Sequence, residues 1–598
     1  MKNADIKMIK VTQEKGIAAL QSGDFATAVS CFQAAGEVEP GNAVIPYNLA
    51  QALDASGRPG EAIIQATNAL ARDRALHPAA RLLTRLLSHF RLRNPCSIDP
   101  AGLCAAFGFI DVDHQVLGPT ALTYLKQCTA LGDALFLGGT KGWNSGARWL
   151  LSSKGKAVLR DPLLRTALCA AANTDLDIEC LLTAVRKALL MSSPKDTLRK
   201  AHILEFACVL VSQGEINEYV FAVSGEEQNR LDGMFINMQG LRDGSRAAAD
   251  SLLLKALYYP LWHLLGENAR DIDGRQIKPK ALGDLITTQM AERAADVETA
   301  QKIEALGTIG DETSRNVARL YEESPYPRWL SLQTPAEGGH RDQLSQYFPE
   351  NDLTFMDTPF KVLIAGSGTG QQATDAAIGY GPKAAITAID ISLASLAYAK
   401  RMAGRFGVEN LHFMQCDILN ASLLEDTFDI IECVGVLHHM GDPWDGWKVL
   451  GERLRAGGLM KIGLYSRAAR RTIASLRDDI QVRNSCGDGP SIRAYRQDII
   501  ARGDRGKGAF LRQSADFYTL GNFRDLMFHV SEQHLAIPDI ADFMATNGLT
   551  FQGFQVPLDI DEGAPDGEGL RDLGRWHEFE CVHKDTFKGM YVFWCRKE

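Results

Sequence analysis

Three glycines at alternate positions, Gly366, Gly368 and Gly370, follow an apolar run, Val362-Leu363-Ile364-Ala365, and precede a helical-looking segment from Gln371 to Ile378. A second apolar run, Ala385 to Ile389, ends on the carboxylate of Asp390. Glycines placed this way let the backbone approach a ligand and take dihedrals that a Cβ forbids. An acid at the tip of the second strand can accept both hydroxyls of a ribose. Strand, glycine turn, helix, strand, acid is half of a doubly wound nucleotide-binding sheet. Further polar groups lie downstream. Asp417 closes a third strand-like run from Leu411, and His438 and His439 follow a fourth, Asp429 to Val434. Asp525 and His529 stand one helical turn apart. The 12 cysteines are scattered singly, with no CxxC pair and none at zinc spacing with a histidine. Reduced thiols and no metal centre are therefore expected.

A dinucleotide turn asks for G-x-G-x-x-G. Here the third glycine comes one position early and Gln371 takes its place. The G-x-G-x-G version suits a cofactor whose aminoacyl portion lies over the turn. A helix from Trp444 to Leu454, the turn Arg455-Ala456-Gly457-Gly458 and a fifth strand, Leu459 to Tyr465, come next. Leu549–Val556 and Met590–Cys595 supply strands six and seven.

With V-L-H-H after strand four (Val436–His439) and R-L-x-x-G-G before strand five (Arg453–Gly458), this region resembles the class I S-adenosylmethionine-dependent methyltransferases. The likeness is close over Val362–Tyr465 and looser over 313–598. It implies an α/β fold with a seven-stranded doubly wound sheet and S-adenosyl-L-methionine as cofactor. It also implies that Gly366, Ser367, Gly368 and Gly370, with Gln371, contact the methionyl part and ribose. Asp390 and Ile391 would lie at the ribose hydroxyls, Asp417 and Ile418 at the adenine, and Cys433 and Val434 beside the sulfonium. The family's first strand commonly carries an acid where Ile364 stands. Thr369, Gln371 and Tyr321 are candidates to take over its hold on the cofactor's amino group.

Methyl transfer from a sulfonium is an in-line displacement, so alignment and dehydration of the nucleophile dominate. Aromatic faces can hold the cation with about 0.5–2 kcal/mol each. A base is needed only for a nucleophile that arrives protonated, a task that suits neutral histidine. The catalytic candidates are His438, preferred over His439 as the ring facing the pocket, with Tyr518 and His529. Histidines after strand four can equally hold the loop by a ring hydrogen bond.

At 598 residues the chain exceeds one core, and about three or four domains are expected. The expected division is 1–92, 93–312 and 313–598. In the first, Gly16, Gly23, Ala28, Phe32 and Ala35 recur as a small-residue pattern at Ala50, Gly57, Ala62, Ala66 and Ala69. The shift of about 34 residues resembles the tetratricopeptide repeat. The second is all-helical by periodicity. The third opens with a lead-in segment, 313–335, whose Tyr321, Tyr326 and Trp329 either pack the sheet or fold over the cofactor. It also contains an insertion, about 466–535, expected to act as a lid. The insertion is rich in arginine from Arg467 to Arg512, which predicts an anionic partner or docking onto the chain's own acidic half. A net charge of -9 and pI ≈ 5.9 argue against global nucleic-acid binding. With neither a signal-like N-terminus nor a membrane-length apolar run, a cytoplasmic protein with no membrane partner is expected. The repeats favour a protein or peptide acceptor. A small metabolite or RNA acceptor, a non-catalytic cofactor-binding scaffold and a homo-oligomer stay open.

Overall fold

The computed structural model describes residues 3–92, 94–482, 487–506, 508–556, 560 and 562–598; Arg483 and Lys507 of the arginine-rich stretch lie outside them. The N-terminal half is helical. Helices Phe25–Val38, Val44–Ala55, Pro59–Arg72 and His77–His89 form the repeats. Their small residues lie at the contacts: Ala28, Ala50, Ala62, Ala66 and Ala69 are fully buried, as is Phe32. Substituting Gly16, on the preceding helix Asn3–Gln21, would bring a Cβ within 2.9 Å of the Phe32 ring, so this glycine sets how closely that helix approaches Phe25–Val38.

The C-terminal half holds one sheet of eight strands: β1 (Glu304–Leu306), β2 (Phe360–Ala365), β3 (Ala384–Asp390), β4 (Leu411–Cys416), β5 (Phe428–Val434), β6 (Leu454–Leu464), β7 (Leu549–Phe554) and β8 (Tyr591–Lys597). The order is β1-β4-β3-β2-β5-β6-β8-β7. All neighbours are parallel except β8, which runs antiparallel to β6 and β7. Seven strands are those expected, and β1 is an addition. Its three residues pair with Met414–Cys416, and two of them are exposed. A strand so short leaves no apolar alternation to read. β6 also begins earlier than expected, at Leu454, because Leu454 pairs with Phe428 before a register shift resumes at Ile430 and Leu459. The central strands are buried on both faces, which accounts for their unbroken apolar runs.

The insertion is not a free flap. Ile473, Leu476, Ile492, Ile499, Phe517 and Phe523 belong to the same continuous apolar core as the helical half, which runs from Ala19 to Ile286. That core also passes through residue 92, so the expected boundary there is no break in packing. Arg496 fastens the insertion. It is fully buried, reaches both oxygens of Glu179 at 3.0 and 3.1 Å, and donates to the carbonyls of Val220 and Phe517. Arg467, Arg477 and Arg502 pair with Asp539, Glu532 and Asp498. These guanidinium groups therefore neutralise the chain's own acids.

Contrary to the expectation of reduced thiols throughout, Cys96 and Cys128 are joined in a disulfide. Among the described residues, no helix is long and apolar enough to cross a membrane.

Candidate active site

A cavity of about 310 Å³ lies beyond the C-terminal ends of the parallel strands, where β2 and β5 meet. Its first wall is the glycine turn. Gly366 has φ +74°, and a Cβ there would lie 2.4 Å from Val436; Gly368 has φ +51°, with the carbonyl of Tyr326 3.0 Å from its Cβ position. Backbone in this region excludes side chains both by conformation and by space. Gly368 N–H and Ser392 N–H donate to the two carboxylate oxygens of Asp390 at 2.8 and 2.9 Å, which leaves each oxygen further lone pairs. Burial pushes the Asp390 carboxyl up to about 6. Asp417 caps the short helix after β4 by accepting from Leu419 N–H at 3.0 Å.

Gly366, Ser367, Gly368, Gln371, Asp390, Ile391, Asp417, Ile418, Val434 and Tyr321 all line this cavity. Gly370 and Cys433 do not. Gly370 stands against Ala399, 2.5 Å from where its Cβ would be, and so serves helix packing. Cys433 is wholly buried on the opposite face from Glu432, in the apolar layer under the sheet.

The cavity fits a nucleoside cofactor by a direct sign. Ser367 Oγ and Ser395 Oγ are buried in its wall and have no hydrogen-bond partner among the described residues. Buried hydroxyls are rarely left unpaired. A buried acid stands next door to Ile364. In the sheet register Ile364 stands opposite Glu432, whose carboxylate accepts from Tyr380 O–H at 2.5 Å and from Gln372 Nε2 at 2.7 Å. Gln372 lines the cavity. Of the candidates to replace that acid, Thr369 instead donates its hydroxyl to the Pro327 carbonyl.

The lead-in segment forms the second wall. The helix Glu312–Glu323 ends at Ser324, and Tyr321 and Tyr326 stack with ring centroids 6.2 Å apart over the cavity. Trp329 Nε1 donates to the Thr369 carbonyl at 2.9 Å, tying the segment to the glycine turn.

The third wall comes from the loop after β5 and from the insertion. His439, rather than His438, lines the cavity. Its Nδ1 lies 2.8 Å from the Ser531 carbonyl. His438 is fully buried under Tyr465, 3.8 Å between ring centroids, and neither ring nitrogen has a partner among the described residues. Tyr321 O–H donates to Asp525 at 2.9 Å and lies 3.1 Å from His529 Nε2. Burial holds His439 down at about 4 and His529 at about 3, so both are uncharged at neutral pH, while it raises the Asp525 carboxyl. Tyr518 is absent from the cavity, because its hydroxyl donates to the Arg512 carbonyl at 2.8 Å and its ring packs into the helical core. Tyr465 and Met590 also line the cavity, and neither carried a motif by which to find it.

Residues 358–492 match the family model for a methyltransferase domain, and residues 19–87 match that for a tetratricopeptide repeat. An uncharacterised Synechococcus protein, syc1184_c, is 29% identical over 295 residues, which are 46% of this chain and 69% of that protein. Among solved structures, PKMT2 from Rickettsia typhi in complex with AdoHcy is similar at 16% identity with a TM-score of 0.31. That match covers 42% of this chain and 52% of the other, so the chain spans about half the length of that relative. Magnesium protoporphyrin IX methyltransferase from Synechocystis with bound SAH is similar at 12% identity and a TM-score of 0.28, over 48% of this chain and 100% of the other.

Proposed function

We propose that this chain, an S-adenosylmethionine-dependent methyltransferase with tetratricopeptide repeats ahead of its catalytic domain, methylates a protein or peptide. The observation that carries this acceptor is a second cavity, about 520 Å³, that shares Pro327 and Gln371 with the first. Its lining sets Asp113, Asp175, Glu215 and Glu218 of the helical half against Arg91 and Arg328. Glu215 is paired with Arg328 and Asp175 with Lys126, so the acids left at the join between helical half and sheet are Asp113 and Glu218, which suit a basic side chain presented on a polypeptide.

When bound, the cofactor supplies a methyl group made electrophilic by its sulfonium. Asp390 holds the ribose hydroxyls through its remaining lone pairs, and Asp417 holds the adenine. Ser367 and Ser395 gain the partners they lack, and Gln372, steadied by Glu432, faces the amino-acid portion. Tyr321 and Tyr326 exclude water above the turn and present aromatic faces to positive charge. His439 Nε2 is the uncharged group on the acceptor side.

The test is to incubate the full-length chain with cell lysate and methyl-tritiated cofactor, beside an Asp390→Ala control. Protein-bound label that the control lacks is expected. Label confined to small molecules, or removed by RNase, overturns the acceptor.

A further inference from the structure

We propose that His439, His529 and Asp525 form a binding site for a divalent ion of the zinc class, on the acceptor side of the cavity. The ion's use in methylation rests on the function proposed above, but its binding does not.

The three residues come from two places: His439 from the loop after β5, and Asp525 and His529 from one turn of the helix Leu520–Phe528 and its C-terminal cap. Each offers one potential ligand atom, and these atoms all lie within 4.8 Å of one another. All three residues are buried, at 6, 4 and 7% exposure respectively. The two imidazole rings lie 3.7 Å apart between centroids, tilted by 30°. Both direct Nδ1 at one backbone oxygen, that of Ser531, at 2.8 and 2.6 Å. In the metal-free chain the Tyr321 oxygen, whose proton goes to Asp525, accepts from His529 Nε2–H, and the Ser531 amide donates to Nδ1 at 3.1 Å. Binding a metal at Nε2 moves that proton to Nδ1, where the Ser531 carbonyl at 2.6 Å accepts it. On His439, anchoring Nδ1–H on that carbonyl leaves Nε2 as a bare lone pair, the arrangement that orients metal-binding histidines.

Two imidazole nitrogens and a carboxylate oxygen suit zinc and its neighbours, whereas calcium and magnesium prefer oxygen alone. Tetrahedral ligand atoms around zinc lie about 3.4 Å apart, so side-chain rotations of roughly an ångström close the site. Without a metal, Tyr321 O–H donates to Asp525 and its oxygen accepts from His529 Nε2. An ion would displace it from His529 while it keeps its bond to Asp525. Of the cations nearby, Arg477 is paired with Glu532 at 2.8 Å, and Arg470 lies over the Tyr465 ring. His439 and Asp525 both face the cavity, so the fourth position opens toward the acceptor. An oxygen, nitrogen or sulfur of the acceptor would bind there. His439 and Asp525 are far apart in the chain, which is why no metal spacing is visible in the sequence.

The experiment titrates Zn²⁺ alone into the chelator-stripped, full-length chain by calorimetry and measures retained metal by mass spectrometry. One ion per chain is expected. His529→Gln and Asp525→Asn should each weaken it at least about tenfold, with His412→Gln as an exposed control. Cofactor binding, measured separately on each variant, reports folding and keeps this proposal distinct from the methyltransferase reading. No Zn²⁺ binding, or binding that neither variant weakens, overturns it.

Discussion

The two walls of the cavity are built in opposite ways. The cofactor wall is local: one glycine turn, the tips of β3 and β4 and backbone N–H groups, all within residues 360–418 apart from the neighbouring β5. The acceptor wall is assembled from side chains of the lead-in helix, the loop after β5 and an insertion whose apolar face lies in the helical half. The difference teaches that the sheet can bind cofactor on its own residues, whereas the acceptor side depends on the distant helical core being folded.

The largest expected effect bears on that dependence. Arg496→Ala leaves Glu179 buried without its partner, and the expected loss is about 3–5 kcal/mol by denaturant unfolding. The pair Arg496→Met with Glu179→Leu should recover much of it. If Arg496→Ala is neutral, the insertion is not fastened as described. On the other wall, Gly366→Val places a side chain into Val436 at φ +74°. Calorimetry should then record cofactor affinity lowered at least about tenfold, because the free turn relieves strain of roughly 1–3 kcal/mol by leaving the conformation that faces the ligand. Unchanged affinity would mean that the turn does not touch the ligand.

A pH series sharpens the contrast further. The Asp390 carboxyl sits at about 6, above its ordinary value. Its raised value means that unliganded stability falls as pH rises from about 4 to 6, because the folded state holds the proton longer. Cofactor affinity should do the reverse, weakening as pH drops through about 6 and the carboxylate loses acceptor capacity. Affinity that is flat between pH 5 and 7 would remove Asp390 from the site. The smallest effect is Tyr518→Phe, which removes one hydrogen bond to the Arg512 carbonyl. It should cost about 1 kcal/mol of stability and leave cofactor affinity unchanged.

The same contrast explains what the amino-acid sequence disclosed. Gly366, Asp390 and Asp417 were legible because turn, strand tip and acid follow one another at spacings that the fold dictates. Gly370 and Cys433 belong to the same motifs but point into packing, a distinction of side-chain direction that motif spacing does not carry. Preference for His438 over His439 failed for a related reason: the ring that faces the cavity is selected by the Ser531 carbonyl, 92 residues away. Tyr518 was misplaced because the insertion packs its apolar face into the helical core. That Glu432 stands opposite Ile364 became visible only through strand register.

The central claim is that the cavity at Asp390 holds S-adenosylmethionine, and calorimetric titration of the full-length chain with that cofactor tests it most directly. One molecule per chain is predicted, with affinity reduced at least about tenfold in Asp390→Ala, whose loss removes hydrogen bonds to a charged acceptor. Absence of binding to the unaltered chain, or equal binding to both, would contradict it.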